Sequence, residues 1–423
     1  MEGVVIVGAG HTGAQAAKTL RQEGWRGAIT LVGAETEPPY QRPPLSKEIL
    51  TGAKTLSDYC LFETSFLERH EIELRAGTRA VAIDRKGQEI SLENGSRLRY
   101  GRLLLATGAE PRRLTVPEVG PGNIHYLRSA ADARGLADVI RGGRRLIVVG
   151  GGFIGLEVAA SAASRGCQVS VIEAGARLVM RSVPAEIEKL LAARHRVAGV
   201  TFHLNRQVAG IRWTRDRVEV DLDDGTRLHG EAILAAIGVA PRVELAEAAG
   251  LAIDNGIAVD ATLRSSDPNI FAAGDASSFP HRLFGSRIRL ECWKNAEDQG
   301  VTAARNILGA SEEYDGAPWL WSDQYELNIQ VAGLPLPAVS HVARPVEGGL
   351  LVFHLGSDGR LVCASGIGAE GAIGRDIRVA QLMIERGLRP RVEALADTSI
   401  RLKSLLVAKA AYACCAKGPD REI

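Results

Sequence analysis

Several features are scarce in this sequence of 423 residues, and each scarcity excludes a class of protein. The six cysteines form no CxxC or CxxxxC pair, which argues against a metal site, a secreted disulfide framework and a redox-active dithiol. Basic residues (51) and acidic residues (50) nearly cancel, so binding to nucleic acid or to a membrane surface is not indicated. No uncharged apolar stretch reaches about 18 residues, and no targeting segment is visible. We therefore expect a cytoplasmic protein without a metal site.

Glycine, in contrast, is abundant at 47 residues, and it clusters at two places. At each place a short apolar run precedes a GxGxxG motif, a helical pattern follows, and an acid stands at the end of the next apolar run. The two copies comprise Val4–Val7, Gly8–Gly13 and Glu35 in the first, and Leu146–Val149, Gly150–Gly155 and Glu173 in the second. A single GxGxxG is weak evidence, but the repeated context predicts two dinucleotide sites.

Each position of this motif has a chemical reason. The first glycine permits the tight turn, the second lets the backbone approach a pyrophosphate, and the third allows the helix to pack closely on the strand. These positions are Gly8, Gly10 and Gly13 in the first copy, and Gly150, Gly152 and Gly155 in the second. Because an acid at the next strand end binds a ribose and repels a 2′-phosphate, Glu173 favours NADH over NADPH. Arg177 and Arg181 are candidates for a 2′-phosphate site, but lining the pyrophosphate or the surface is the preferred interpretation.

The rest of the chain predicts additions to these two units. Short alternating segments indicate small antiparallel excursions at Ala80–Asp84, Glu89–Leu92, Arg102–Leu105, Arg217–Leu222 and Ala232–Ala235. From Trp319 onward, strand-like pieces and a helix near 374–386 indicate a third, α+β domain. The tail from Ile400 to Ala416 has helical periodicity.

Five further segments, in order along the chain, resemble motifs of FAD-dependent ferredoxin reductases that serve aromatic-ring dioxygenases and haem monooxygenases. They resemble, in turn, the flavin-side loop, the inter-domain link, the second flavin motif of the glutathione-reductase-like fold, the segment over the isoalloxazine, and the opening of the C-terminal domain. The segments are Pro39–Lys47, Ala106–Gly108, Thr262–Asp275, Glu291–Gly300 and Pro318–Tyr325. Their joint occurrence makes the resemblance specific.

The resemblance implies an α/β fold with two Rossmann-like dinucleotide-binding domains, glutathione-reductase-like, plus a C-terminal α+β domain. The FAD-binding domain is expected at 1–112 and 241–317, with the NADH-binding domain at 113–240 between its two parts. The C-terminal domain, including the helical tail, is expected at 318–423.

The implied activity is that of an NADH:ferredoxin oxidoreductase. NADH passes hydride to FAD, and electrons leave singly to a small iron–sulfur ferredoxin that feeds a terminal oxygenase in aromatic hydrocarbon catabolism. A Rieske-type ferredoxin is the easier acceptor by potential, but another two-iron ferredoxin remains open. The alternatives are a relative that reduces rubredoxin, a radical or a quinone, and an NADH-sensing protein of the apoptosis-inducing-factor type. Disulfide reductases are disfavoured because the dithiol is missing.

Three residues are expected to be catalytic. By resemblance, Lys47 lies near flavin N5 and pairs with Glu157, and Trp293 covers the flavin face. Glu157 also stands on an apolar helix start, where a charge needs a partner. The alternatives are a solvated loop lysine for Lys47 and a core tryptophan for Trp293. Asp275 is expected to accept a hydrogen bond from a ribityl hydroxyl, with an Asx turn as its alternative.

The remaining cofactor-binding assignments follow these motifs. They are His11, Thr12, Arg42, Pro43, Ala106, Thr107, Gly108, Glu291 and Cys292, together with Phe153, Ile154 and Gly238. We interpret His11 as adjacent to the pyrophosphate or facing solvent, and not as a catalyst. Cys292 stands where relatives commonly carry a small hydroxyl residue. The role of Cys414 and Cys415 is left open.

Two expectations concern the segment before and after Trp293. Asn295 is predicted to cap a helix that runs through Ile307, with Asp298 three residues on. The arginines at 282, 287 and 289 are predicted to border the ferredoxin site, with ordinary surface charge as the alternative.

Overall fold

A computed structural model describes residues 3–120, 122–335 and 338–406. The chain up to residue 111 alternates short strands and helices around a parallel sheet. Its strands are β1 (Val4–Val7), β2 (Ile29–Val32), β3 (Ile72–Arg75), β4 (Ala80–Asp84), β5 (Glu89–Leu92), β6 (Arg97–Arg99), β7 (Arg102–Leu105) and β8 (Ala109–Pro111). Its helices are α1 (His11–Gln22), α2 (Glu48–Thr51) and α3 (Thr64–Arg69), with 3₁₀ turns at Pro43–Ser46 and Leu56–Tyr59.

The next segment repeats this organisation around a second parallel sheet. Its strands are β9 (Glu118–Val119), β10 (Ile124–His125), β11 (Arg145–Val149), β12 (Gln168–Glu173), β13 (Thr201–Leu204), β14 (Val208–Trp213), β15 (Val218–Leu222), β16 (Arg227–Gly230), β17 (Ala232–Ala235) and β18 (Val239–Pro241). Its helices are α4 (Ala130–Val139), α5 (Phe153–Ser164) and α6 (Ala185–Val197).

The chain then returns to the first sheet before it forms the C-terminal part. The returning elements are α7 (Glu244–Ala248), β19 (Ile257–Ala258), β20 (Ile270–Ala272), a 3₁₀ turn (Gly274–Ala276), β21 (Ser277–His281), β22 (Ser286–Ile288) and α8 (Trp293–Ile307). The C-terminal elements are β23 (Trp319–Gln324), β24 (Leu327–Gly333), β25 (Ser340–Val346), β26 (Gly349–Leu355), β27 (Leu361–Ala369), α9 (Gly374–Glu385), α10 (Val392–Ala396) and a 3₁₀ turn (Leu402–Leu406).

Two five-stranded parallel sheets carry the predicted fingerprints. The first has the order β20-β7-β1-β2-β3 and the second β10-β17-β11-β12-β13. Because β20 pairs with β7, the first sheet is built from two segments separated by the whole second sheet. On this basis we propose that the FAD-binding domain comprises 1–112 and 241–317, the NADH-binding domain 113–240, and the C-terminal domain 318–423.

The short antiparallel excursions are partly as predicted. Strands β4, β5 and β6 form one antiparallel sheet, and β14, β15 and β16 pair antiparallel in another. The prediction is wrong for Arg102–Leu105 and Ala232–Ala235, which lie parallel inside the two main sheets. The apolar residues of both strands are buried in succession, as in a strand covered on both faces, and not at alternate positions.

The C-terminal sheet, in the order β23-β24-β27-β26-β25, is antiparallel and confirms the predicted α+β texture. One face packs on α9 through Leu351 and Phe353. The other face packs on α5 and α6, where Val352 and Ile329 join a cluster with Leu156. Because successive side chains of a strand point to opposite faces, the sheet can pack on helices on both sides, and β23 lies against α5, the helix that follows the second fingerprint.

The described residues contain no cluster of metal-ligating side chains. None of the helices in those same ranges is long and apolar enough to cross a membrane. The predicted helical tail is a 3₁₀ turn at Leu402–Leu406, and its part beyond 406, with Cys414 and Cys415, lies outside the described residues.

Candidate active site between the two dinucleotide folds

A cleft of about 1550 Å³ lies between the two fingerprint regions and the start of the C-terminal sheet. The crevice outside the carboxyl ends of parallel strands is where open α/β sheets bind ligands. Of the residues predicted to act in catalysis or cofactor binding, all line this cleft except Gly13, Gly155 and Arg177. The fold therefore gathers residues from segments spread between positions 8 and 293 around one cavity.

The glycines of both copies meet the constraints predicted for them. Gly8 and Gly150 have φ of +119° and +109°, a region that residues with a Cβ rarely adopt. A Cβ on Gly13 would lie 1.9 Å from the carbonyl oxygen of Gly8, and one on Gly155 would lie 2.1 Å from that of Gly150. The third glycine thus packs against the backbone of the first glycine, which explains why Gly13 and Gly155 do not line the cleft.

The second glycine of each copy leaves open space at a helix start. Gly152 has no atom within 4 Å of an added Cβ, and Gly10 has only an Arg42 guanidinium nitrogen, at 3.9 Å. Both residues are helix N-caps, of α1 and α5, and neither helix has a side-chain cap. Unpaired N–H groups and the helix dipole at such a start attract phosphate.

The acid of the first copy is held by side chains. Glu35 accepts hydrogen bonds from the Tyr40 hydroxyl (2.5 Å) and from the Arg42 guanidinium (2.6 Å). Tyr40 also accepts from the backbone N–H of Ala130, which ties the flavin-side loop to α4. The ring and guanidinium fix the direction in which Glu35 faces the cleft.

The acid of the second copy is held by the backbone. The carboxylate of Glu173 accepts from the N–H of Gly151 (2.7 Å) and the N–H of Gly175 (2.6 Å). Arg181 lines the cleft as expected. Arg177 does not, because its guanidinium donates to the carbonyl oxygens of Val183 and Met180. Arg177 therefore holds its own loop together, and the assignment of this residue to cofactor binding stays a prediction.

An arginine cluster that sequence reasoning missed stands beside Asp275. Arg128 donates to the Asp275 carboxylate at 3.0 Å, and Arg42 donates to the Arg128 carbonyl oxygen. Burial lowers the pKa of Arg242, and the positive charges of Arg79, Arg128 and Arg42 lower it further. No motif marks Arg128 or Arg242, because each reaches the cleft from a different loop.

The predicted ion pair is present, and both of its residues line the cleft. The Nζ of Lys47 lies 3.1 Å from Oε1 of Glu157, and only 4% of the Glu157 side chain is exposed. Two hydroxyls also donate to this carboxylate, from Ser46 (2.5 Å) and from Ser322 (2.6 Å). The contact agrees with the expectation that a charge on this apolar helix start needs a partner.

Aromatic rings line one wall of the cleft. The ring centroid of Trp293 lies 4.7 Å from that of His11 and 5.5 Å from that of Trp321, and Trp321 stacks on Trp319 at 5.1 Å. Burial lowers the pKa of His11 to about 4, so its imidazole is neutral at physiological pH. His11 therefore lies against Trp293 and is only partly exposed. Sequence reasoning missed Trp321, although residues two apart on a strand share a face.

The expectations around α8 need correction. Helix α8 begins at Trp293 with Cys292 as its N-cap, so Asn295 is buried inside the first turn and is not a cap. Asp298 pairs with Lys294 instead of closing a capping box. The segment nevertheless reaches the cleft, with Glu291, Cys292 and Trp293 among the lining residues.

The predicted docking arginines are engaged within the protein. Arg282 bonds to Asp315, and Arg287 donates to the carbonyl oxygens of Val259 and Ser278. Arg289 is 9% exposed and pairs with Glu291. Arg287 and Arg289 therefore brace the strands and the loop that lead into α8, whereas 71% of the Arg282 side chain is exposed.

Comparison with known proteins places these features in a family. Residues 2–300 match the pyridine nucleotide-disulphide oxidoreductase family, and residues 319–406 match the family described as reductase C-terminal. The chain belongs to the pyridine nucleotide-disulphide oxidoreductase family. It is 41% identical over 404 residues to the ferredoxin–NAD(+) reductase component of the anthranilate 1,2-dioxygenase system of Burkholderia cepacia, which covers 95% of this chain and 98% of the relative.

Further relatives and solved structures agree with this membership. Rhodocoxin reductase of Rhodococcus erythropolis is 37% identical over 402 residues, covering 95% of this chain and 93% of the relative. The reductase in a covalent putidaredoxin reductase–putidaredoxin complex superposes with a TM-score of 0.91 at 35% identity, over 97% of this chain and 99% of that one. The ferredoxin reductase for the CYP199A2 system of Rhodopseudomonas palustris gives 0.89 at 36% identity, over 96% and 99%.

The family implies FAD and a nicotinamide dinucleotide, and the cleft fits both. In each of the two fingerprints, the helix start has no side-chain cap and there is open space around the second glycine. The crowded positive charge around Arg242 would be relieved by a pyrophosphate. Within the described residues, buried polar atoms of His11 (Nδ1) and Trp293 (Nε1), which both line the cleft, have no hydrogen-bond partner. These are the features expected of a site built around a bound polar ligand.

Proposed function

We propose that this protein is an NADH-dependent ferredoxin reductase that supplies electrons to a terminal oxygenase. The observation that carries the proposal is one cleft that is lined by both dinucleotide fingerprints and by the Lys47–Glu157 pair. Relatives named as ferredoxin reductases cover nearly the whole chain. FAD, when bound, accepts electrons in pairs from NADH and releases them one at a time.

The residues of the chain bind, orient and shield. When the cofactors are bound, Gly10 and Gly152, with the helix starts that they cap, would hold the two pyrophosphates, and Glu35 and Glu173 would hold the two adenosine riboses. Lys47, fixed by Glu157, would hold its ammonium group beside the flavin ring. Because hydride transfer needs near-contact stacking, the walls of the cleft contribute mainly by positioning.

We assign the route by which electrons leave the cleft to the aromatic side chains along one of its walls. Trp293 and the stacked rings of Trp321 and Trp319 form a continuous aromatic path from the cleft toward the C-terminal sheet. A small two-iron ferredoxin, Rieske-type or other, is the proposed acceptor on this side. A cytoplasmic location remains a prediction from cysteine usage.

A disulfide reductase is not supported. The cysteines at 60, 167, 292 and 363, which are those in the described ranges, are free. Burial also raises the pKa of the Cys292 thiol to about 12, so it is protonated at neutral pH and a poor nucleophile.

The test is NADH-driven reduction of purified ferredoxins. We expect the isolated protein to carry one non-covalent FAD and to reduce a member of a panel of Rieske-type and plant-type ferredoxins, as well as a dye. Dye turnover without reduction of any ferredoxin would point to another acceptor, such as rubredoxin. Flavin reduction by NADH without turnover on any acceptor would favour the NADH-sensing alternative.

A further inference from the structure

Glu157 is the point where three parts of the molecule meet. The residue stands on α5 of the second sheet, and Lys47 and Ser46 reach it from the loop of the first sheet. The third contact, the hydroxyl of Ser322, comes from β23 of the C-terminal sheet and donates to Oε1 at 2.6 Å. Oε1 is also the oxygen that faces Lys47. A residue of the C-terminal sheet thus shares the carboxylate oxygen of the ion pair with Lys47.

A buried chain of hydrogen bonds continues from Ser322. The amide nitrogen of Gln324 donates to the Ser322 hydroxyl at 3.0 Å, and its amide oxygen lies 2.7 Å from Nε2 of His195 on α6. The hydroxyl of Tyr325 lies 3.1 Å from Nδ1 of the same imidazole. Ser322 and His195 are fully buried, and Gln324 is 1% exposed.

The direction of this chain is determined by its chemistry. Because the Gln324 nitrogen donates to Ser322, its oxygen must accept from His195, so Nε2 carries the imidazole proton. Nδ1 then accepts from Tyr325. Burial lowers the pKa of His195 and raises that of Tyr325 to about 12, so the imidazole is neutral and the phenol keeps its proton. Every donor therefore points toward Glu157, and bonds aligned in this way polarise one another.

We propose that Ser322, Gln324 and His195 are positioning residues that hold the Glu157 carboxylate in place for its pairing with Lys47. The C-terminal sheet and α6 thereby take part in the reaction of NADH with the flavin site, although none of the three residues is assigned to a cofactor. The inference rests on the proposed function, because it assumes that the Lys47–Glu157 pair acts in flavin reduction.

The main variant is Ser322→Ala in the FAD-loaded protein, with stopped-flow measurement of flavin reduction by NADH. We expect reduction about tenfold slower with unchanged FAD content, since a hydrogen bond to a charged group is lost. Ser322→Thr keeps the hydroxyl and is expected to restore most of the rate. Ser365→Ala removes a fully buried hydroxyl of the same sheet that contacts Cys363 and makes no hydrogen bond with Ser322, Gln324 or His195. This variant is expected to match wild type.

Two further variants test whether the effect passes through Glu157. In a Glu157→Ala background, Ser322→Ala is expected to cause no additional slowing, because the group that it positions is gone. His195→Phe, which keeps a ring but removes both hydrogen bonds, is expected to give a rate between wild type and Ser322→Ala. A wild-type rate in His195→Phe would remove His195 from the proposal.

The outcomes separate this inference from the function on which it rests. Slow reduction in Lys47→Ala and Glu157→Ala but normal reduction in Ser322→Ala would overturn the positioning role and leave the reductase proposal intact. Equal slowing in Ser322→Ala and Ser322→Thr, or full additivity with Glu157→Ala, would also overturn it. Normal reduction in both Lys47→Ala and Glu157→Ala would refute the role of the ion pair itself.

Discussion

The two fingerprints share one backbone geometry but hold their acids differently. In both, the first glycine has a positive φ and the third lies against the carbonyl oxygen of the first. Glu35, however, is paired with the guanidinium of Arg42 and the hydroxyl of Tyr40, whereas Glu173 accepts two backbone N–H groups. The glycine pattern therefore specifies the turn, and the neighbours of the acid specify its electrostatics.

This difference suits two different ligands. The charge of Glu35 is compensated by a cation, so the carboxylate serves mainly as a fixed hydrogen-bond acceptor. Glu173 has no salt-bridge partner within the described residues, so its charge remains available to repel a 2′-phosphate. This difference supports the proposal that the first fingerprint holds FAD and that the second discriminates NADH from NADPH.

The largest effects are expected from the third glycines. A methyl group at Gly13 or Gly155 would collide with a backbone oxygen, and the helix start would have to move away from the phosphate site. We expect Gly13→Ala to retain less than about a tenth of the FAD, and Gly155→Ala to keep FAD but raise the KM for NADH by about 100-fold.

The measurements are FAD content after purification and steady-state kinetics with a dye. Gly135→Ala is the matched control, because Gly135 is helical and an added Cβ meets no atom within 4 Å. Loss of FAD from Gly155→Ala would contradict the assignment of FAD to the first fingerprint and of NADH to the second.

Replacing the acid of either fingerprint, Glu35 or Glu173, is expected to have an effect of intermediate size. Wild type should prefer NADH over NADPH by about tenfold in kcat/KM, or about 1.4 kcal/mol, because a 2′-phosphate would face the Glu173 carboxylate. Glu173→Ala should narrow this ratio. Glu35→Ala should weaken FAD retention and leave the ratio of kcat/KM for NADH over NADPH unchanged. A change of this ratio in Glu35→Ala would show that the roles of the two acids are not separate.

The smallest effect concerns the residue after the second glycine, which is His11 in one copy and Phe153 in the other. Burial lowers the pKa of His11 to about 4, so the unfolded chain takes up a proton below about pH 6.5 that the folded protein does not. This residue therefore makes the folded state less stable as pH falls from about 6.5 toward 4.

Replacing His11 with the residue of the other copy tests this difference. Between pH 7 and 5.5, His11→Phe should lose about 1 kcal/mol less of its free energy of unfolding than wild type, measured by denaturant titration of both proteins. Identical pH profiles for the two proteins would mean that the imidazole is not buried in a neutral form.

The sequence predicted the parts of the site that depend on local backbone chemistry. A buried strand, a glycine turn and a helix start are adjacent in the chain, so Val4–Val7 with Gly8–Gly13, and their second copy, could be recognised from spacing alone. The same reasoning failed for Arg102–Leu105 and Ala232–Ala235, because a short apolar run does not show which sheet the strand joins. The helix start at Cys292 was missed because Asn295 offered a stronger capping signal than the true cap.

The sequence by itself determined two dinucleotide folds, a third α+β domain and a charged residue, Glu157, that needed a partner. Only the tertiary structure decided what surrounds that charge. Ser322 is 165 residues away along the chain, and the contact exists because the C-terminal sheet packs its apolar face on α5 and α6. Arg128 likewise reaches Asp275 across 147 residues. Hydrophobic packing brings such polar groups together, and no local pattern records contacts made at that distance.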